Sequence, residues 1–329
     1  MMRVREWLVR FRMPVVLLVL VVLVTSLTHG LFAQPDNLVN VARQIAFEAL
    51  IAFGMTLVIV TGGIDLSVGS LVALSGVLAA RVMIGLVGAG EPVAILAGLV
   101  TGVAAGGACG LASGFVITRF GLPPFLVTLA AMLVARGFAF IACSGQPLYD
   151  GLPAALEVLG RGFVLEPVLG RMLPVPVLLM VAGFGFFHLL LTRTVLGRSI
   201  VAVGSNEEAA RLAGIDVART RRAAYAATGA LSGLVGVFHT GKLMSADPKI
   251  GEMWELNVIA AVVVGGTSLF GGRGSVPGTL AGALVIGVLN NGLNLLHVEH
   301  FWQKVVLGLV ILGAALMDAA LSRVGARRA

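Results

Sequence analysis

The chain has 329 residues, of which 58% are hydrophobic and only 12% charged, whereas a soluble domain carries roughly 25% charged residues. That is too little polar surface for a protein dissolved in water, so lipid is the solvent for most of the chain. The 23 Lys and Arg outnumber the 16 Asp and Glu, but they fall in short connections between apolar runs rather than in one patch, which reads as membrane topology and excludes nucleic acid as a partner.

Apolar runs long enough to cross a hydrocarbon core of about 30 Å recur near 14–33, 44–61, 67–88, 93–118, 122–143, 173–192, 223–243, 256–271, 276–296 and 301–321. The pattern predicts an all-α, polytopic transmembrane helix bundle of about ten spans, forming a single domain over 1–329. Arg3, Arg5, Arg10 and Arg12 precede the first run. A signal peptide begins in the same way, but the length of the run and the spans that follow predict a retained anchor. With the N-terminus cytoplasmic, the inner connections hold Arg119, Arg193, Arg198, Arg211, Arg219, Arg221, Arg222 and Arg273. An even number of spans then returns Arg323, Arg327 and Arg328 to the cytoplasm, as the bias of positive charge to the inner side requires.

Along the chain, Gly102, Gly106, Gly110 and Gly114 recur every four residues in the fourth span. Such a stripe lets helix backbones approach closely, either within the bundle, the preferred reading, or at a dimer interface. Cys109 and Cys143 lie in apolar stretches without metal-ligand spacing and are expected to serve packing. The outer loop 144–172 mixes Pro147, Pro153, Pro167, Gly160, Gly162 and Gly170 with few charges, which suits an ordered connection over the bundle. The inner loop 193–222 carries a helix start. Ser205 as N-cap with Glu208 three residues on forms a capping box, Asn206, Glu207, Ala209 and Ala210 continue it, and Gly214 suits a left-handed stop. Asp216 is placed to cap the next span. The expected product is a rigid knob of about two turns at the cytoplasmic surface.

Two segments echo each other: Ser67-Val68-Gly69-Ser70-Leu71 and Ser275-Val276-Pro277-Gly278-Thr279-Leu280, each after a glycine pair (Gly62-Gly63 and Gly265-Gly266). Repeats and broken helices of this kind are common in transporters, although a glycine-rich chain also produces such echoes by chance. Asp65 is expected to cap the third span at the cytoplasmic face, and Gly271-Gly272-Arg273-Gly274 to make a tight inner turn.

Glu208-Ala209-Ala210 followed by Gly214 resembles the EAA loop of ABC importer permeases, whose short helix docks into the ATPase subunit. Thr61 to Ser70, Gly265 to Ser275, and Asn290-Asn291-Gly292-Leu293-Asn294 followed by Phe301-Trp302-Gln303 extend the likeness, in the same order, to the ribose-type permease family over about 44–320. The resemblance implies a permease that works as a homo- or heterodimer in the bacterial cytoplasmic (inner) membrane. It also implies a separate ABC ATPase subunit that carries ATP and Mg, and a periplasmic or extracellular solute-binding protein. On this reading Gly62, Gly63, Asp65, Ser67, Gly69, Gly271, Gly272 and Arg273 are motif residues with gating or capping roles, and the cargo is a monosaccharide or similar small sugar.

Polar side chains inside spans point either to a pathway or to interhelical hydrogen bonds. The candidates are Glu48, Arg136, Asn290, Asn291 and Asn294, with Asn290 and Asn294 on one helical face and a Glu48–Arg136 ion pair as one way to neutralise charge. His297, Glu299 and His300 lie at an outer turn where the family tends to have small residues. Their spacing disfavours a shared metal and suits an altered contact with an outer partner. Gly236 to Leu243 nearly spells a P-loop, but Leu243 replaces the Ser or Thr that would hold magnesium. The chain is therefore expected to be a transport subunit without an ATPase site or cofactor of its own. Competing readings are an ABC permease for a nucleoside or branched-chain amino acid, and an ion-coupled secondary transporter with Glu48 as its coupling carboxylate. An intramembrane enzyme would need a paired nucleophile and base or a metal cluster within the spans, and the sequence offers neither.

Overall fold

The computed structural model describes residues 2–164 and 172–326. Expectations attached to Pro167, Gly170, Arg327 and Arg328 lie outside the described residues, as do those resting on the side chains of Arg3, Arg5, Arg10, Arg12, His300 and Arg323. The described chain is helical almost throughout: α1 (Met2–Leu27), α2 (Pro35–Val60), α3 (Val68–Leu86), α4 (Glu91–Phe120), α5 (Pro124–Ala142), α6 (Leu156–Arg161), α7 (Val175–Arg193), α8 (Val195–Ser205), α9 (Glu207–Leu212), α10 (Val217–Leu243), α11 (Trp254–Val264), α12 (Val276–Leu295) and α13 (His300–Ala326). Leu148 pairs with Ala246, and Phe163 with Pro174, as isolated antiparallel bridges.

Each of the ten apolar runs falls on a helix, and among the described residues 6 helices are long and apolar enough to cross a membrane. The run at 256–271 needs correction. Its helix, α11, is 11 residues long, about 16 Å at 1.5 Å per residue, and cannot cross a core of about 30 Å alone. It stops because Gly266 turns left-handed (φ +90°) and Thr267 N closes back on Val262 O at 3.2 Å. α2 ends the same way: Gly62 has φ +80°, and Gly63 N donates to Val58 O at 3.1 Å. The two glycine pairs thus build the same helix stop, and each leads through a non-helical stretch into the next helix. The likeness ends there: Ser275 is extended and accepts from Gly278 N to cap α12, whereas Ser67 is already helical (φ −84°, ψ −12°) and caps nothing with its side chain.

α2 is the buried centre, with its inner half from Ile45 to Val60 almost wholly inaccessible except at Glu48. α10 packs on α2, α3 and α4. The glycine stripe of α4 makes this possible, because a Cβ at Gly106 would overlap Gly229 O of α10, one at Gly110 would overlap Tyr225 O, and one at Gly233 would overlap Gly102 O. The stripe is intramolecular packing, and it draws two backbones together where lipid supplies no hydrophobic pressure. Cys143 is buried with Val77, Ala80 and Ala246, the packing role expected. The outer surface is apolar on α4, α5 and α13, where Leu96, Leu133, Ile141 and Leu309 are exposed, as for helices facing hydrocarbon. Gly236 to Leu243, the near P-loop, is helix throughout, within α10.

Candidate functional site

The 193–222 loop holds two short helices where one was expected. Sequence reasoning missed α8, whose Gly197, Ile200 and Val203 are buried on one face at intervals of one turn. Thr194 caps it by accepting from Gly197 N at 3.1 Å. The expected capping box is displaced by one residue. Ser205 Oγ donates back to Val201 O at 2.8 Å and so finishes α8, whereas Asn206 is extended (φ −160°, ψ 107°) and its side chain accepts from Ala209 N at 2.9 Å. The stop is as expected: Gly214 has φ +82°, and Ile215 N donates to Ala210 O at 3.0 Å. Asp216 Oδ1 caps α10 through Arg219 N at 2.8 Å. Glu207 meets Arg211 at 2.9 Å and Arg221 at 2.8 Å. The second pair braces α9 against α10; exposed ion pairs contribute only about 0–1 kcal/mol, so their effect is orientation. Glu208 and Ala209 face outward, and Leu212 is 85% exposed at the tip.

Behind this knob, segments far apart in the sequence meet. Val60 O, among the last carbonyls of α2 and without an intrahelical partner, accepts from Gly272 N at 2.9 Å. Gly204, the penultimate residue of α8, presses on the same carbonyl so closely that a Cβ there would overlap Val60 O and lie 2.6 Å from Gly272 N. A Cβ on Gly271 would stand 3.0 Å from both Gly204 O and Gly62 N. The 193–222 loop, the end of α2 and the Gly271-Gly272 turn therefore form one backbone-to-backbone joint, with Arg273 exposed beside it.

Beyond the joint, the 61–67 segment runs into the bundle. Asp65 was expected to cap α3 at the cytoplasmic face, and the structure corrects both points. Asp65 is buried, and its Oδ1 accepts from Ser67 N at 2.9 Å and Ser67 Oγ at 2.6 Å, ahead of the helix rather than in its first turn. Burial follows from the neighbours: Thr128 Oγ1 of α5 donates to Ile64 O at 3.2 Å, and Tyr225 of α10 closes over Gly63. Gly69 abuts Gly251 of the connection between α10 and α11. That connection is clamped by Arg136, which donates to Pro248 O at 2.5 Å and Ile250 O at 2.7 Å.

Glu48, Asn290 and Asn294 converge on a hollow of about 440 Å3 between α2, α11, α12 and α13, which Trp254, Asn257 and Gln303 also line. Glu48 Oε1 accepts from Asn257 Nδ2 at 3.2 Å, and Asn294 Oδ1 from Gln303 Nε2 at 2.8 Å. Two candidates lie elsewhere. Asn291 forms a reciprocal amide pair with Asn37, 3.0 Å each way. Arg136 is spent on the clamp, so the Glu48–Arg136 ion pair is not formed. His297 (φ +54°) and Glu299 are exposed at the turn between α12 and α13, and among the described residues no group of three or more His, Cys, Asp or Glu is placed to hold a metal ion.

Residues 37–315 match the family model described as branched-chain amino acid transport system / permease component. The chain belongs to this permease family. Among curated relatives, the ribose import permease of Bacillus subtilis (strain 168) is 44% identical over 306 residues, covering 93% of this chain and 91% of the relative. The ribose import permease of Escherichia coli (strain K12) is 41% identical and covers 95% of both chains. The L-arabinose ABC transporter permease of Azospirillum brasilense is 36% identical over 95% of this chain and 88% of its own. No solved structure gives a significant match. In this permease, sequence reasoning passed over Gly204, Trp254 and Asn257. The last two had a local signal, since a Trp and an Asn three apart share a helix face. Gly204 had none, because its role depends on Val60, which is remote in sequence.

Proposed function

We propose that this chain is the membrane-spanning subunit of an ATP-driven importer of a monosaccharide, crossing the bacterial inner membrane about ten times with both ends cytoplasmic, α11 making its crossing together with the 244–253 connection that leads into it. The joint carries this reading. α9 is braced to α10 and follows α8 directly, and Gly204 of α8 packs on the backbone of α2 and of the turn before α12, so an outside push on α9 can pass into the helices around the path. α9 offers an apolar, outward-facing tip to an ATPase subunit, which supplies ATP and Mg. A second permease subunit completes the path, and a solute-binding protein delivers cargo to the outer face. The ribose and arabinose permeases among the relatives support a sugar as cargo, and so does a hollow in which Asn257, Asn290, Asn294 and Gln303 share one space with an indole.

The test is reconstitution with an ABC ATPase and a solute-binding protein of the ribose-import type. ATP should drive accumulation of a pentose or hexose that an ionophore leaves intact; accumulation indifferent to ATP and abolished by ionophore would mean ion coupling instead. Glu208→Arg reverses charge on the exposed face of α9, away from the bundle contacts, and should abolish ATP-driven uptake while leaving the amount of inserted protein unchanged. Undiminished uptake would remove α9 from the coupling path.

A further inference from the structure

We propose that the hollow between α2, α11, α12 and α13 is a sugar subsite in which the permease itself reads its cargo, with the indole of Trp254 as a platform and the amides of Asn257 and Asn290 meeting hydroxyls. The inference deepens the proposed function and rests on it.

Polar side chains at membrane depth are costly unless they pair or face water. Where amides serve only to hold helices together they satisfy each other, as Asn37 and Asn291 do. The hollow is only partly paired: Asn257 gives one N–H to Glu48 and Asn294 accepts from Gln303, which leaves further amide donors and acceptors of both unspent. Glu48, Asn257 and Asn290 come from three separate helices and face one space, and the Asn290 side-chain amide makes no hydrogen bond among the described residues. At about 440 Å3 the space lies within the roughly 300–1,000 Å3 typical of small-molecule sites. Each amide offers both donor and acceptor, which matches a hydroxyl that does both. The indole supplies an apolar face for the C–H side of a sugar ring, and it is held in place from behind: His239 meets Trp254 edge-on at 5.2 Å between ring centroids, and Phe47 meets His239 at 5.5 Å. A ring-shaped polyol fits this chemistry, because Glu48, Glu252 and Lys304, which also line the hollow, can accept from or donate to further hydroxyls. Binding must stay weak for the cargo to leave.

The sequence has 3 Trp, so Trp7→Phe with Trp302→Phe leaves Trp254 as the sole indole reporter in the full chain, held in lipid nanodiscs. Titration with D-ribose, D-allose or L-arabinose should give a saturable fluorescence change with at least one sugar, and L-leucine should give none. Asn290→Leu removes an amide that supports no neighbour, so the variant should keep the parent melting temperature and emission while binding sugar about tenfold more weakly. In the complete transporter it should raise KM for uptake by a similar factor with little change in kcat. Flat Trp254 emission with all three sugars, or an unchanged KM in Asn290→Leu, while the wild-type transporter imports a sugar, overturns the subsite and leaves sugar import standing. Import of leucine and of no sugar overturns the reading on which the subsite rests.

Discussion

Gly204 occupies a position where even a methyl group has no room, because the atoms it would meet are the backbone of Val60 and Gly272. Backbone cannot swing aside as a side chain can, so Gly204→Ala must shift α8 away from the end of α2, at a strain of about 1–3 kcal/mol. The expected outcome is uncoupling: sugar moved per ATP hydrolysed by the complex should fall about tenfold or more while hydrolysis continues. A wild-type ratio would show that the joint transmits nothing. Residue-scale reading of the sequence succeeded where the chemistry is local. Asp216 caps the helix it precedes, and Gly214 stops α9 in the left-handed turn expected of it. It slipped by one residue at Ser205, since a hydroxyl at a helix junction can close the helix behind it or open the one ahead. Only the extended backbone at Asn206 decides between these.

Among the helices, α4 and α10 approach closely along a whole row of glycines, and neighbouring glycines test that seam. Gly106 faces the backbone of Gly229, whereas a Cβ on Gly107 would find only an ordinary contact at 3.5 Å from Ala230 Cβ. Gly106→Ala should therefore lower the melting temperature of the detergent-purified protein, at a cost of about 1–3 kcal/mol. Gly107→Ala should be neutral or stabilising by up to about 1 kcal/mol, because Ala restricts the unfolded chain and favours helix. Equal effects would mean that the stripe is not a packing seam. The four-residue spacing announced a close contact without naming its partner, because the matching glycines on α10 lie more than a hundred residues further along. The run at 256–271 misled for a related reason. Hydropathy averages over a window and sees no boundary at Gly265-Gly266, whereas hydrogen bonding ends the helix there and leaves a short α11 beside the hollow.

The orientation of the whole molecule can be read out at α9, whose exposed Ala209 lies on the knob assigned to the cytoplasm. In a background with Cys109 and Cys143 replaced by serine, Ala209→Cys should react with a membrane-impermeant maleimide in inside-out vesicles and resist it in intact spheroplasts. The reverse pattern would invert the topology and end the coupling role.

At this scale, composition by itself determined that the chain lives in lipid, and apolar run length determined where its helices lie. Both are sums over neighbouring residues and need no knowledge of the fold. The motif likeness placed the chain in its family on the same terms. Only the tertiary structure decided that Val60, Gly204 and Gly272 form one joint, that Glu48 meets Asn257 while Arg136 turns to the carbonyls of Pro248 and Ile250, and that Asn290 and Asn291 face different surroundings. Each of these depends on how closely backbones distant in sequence can approach, and packing against a partner element sets that distance.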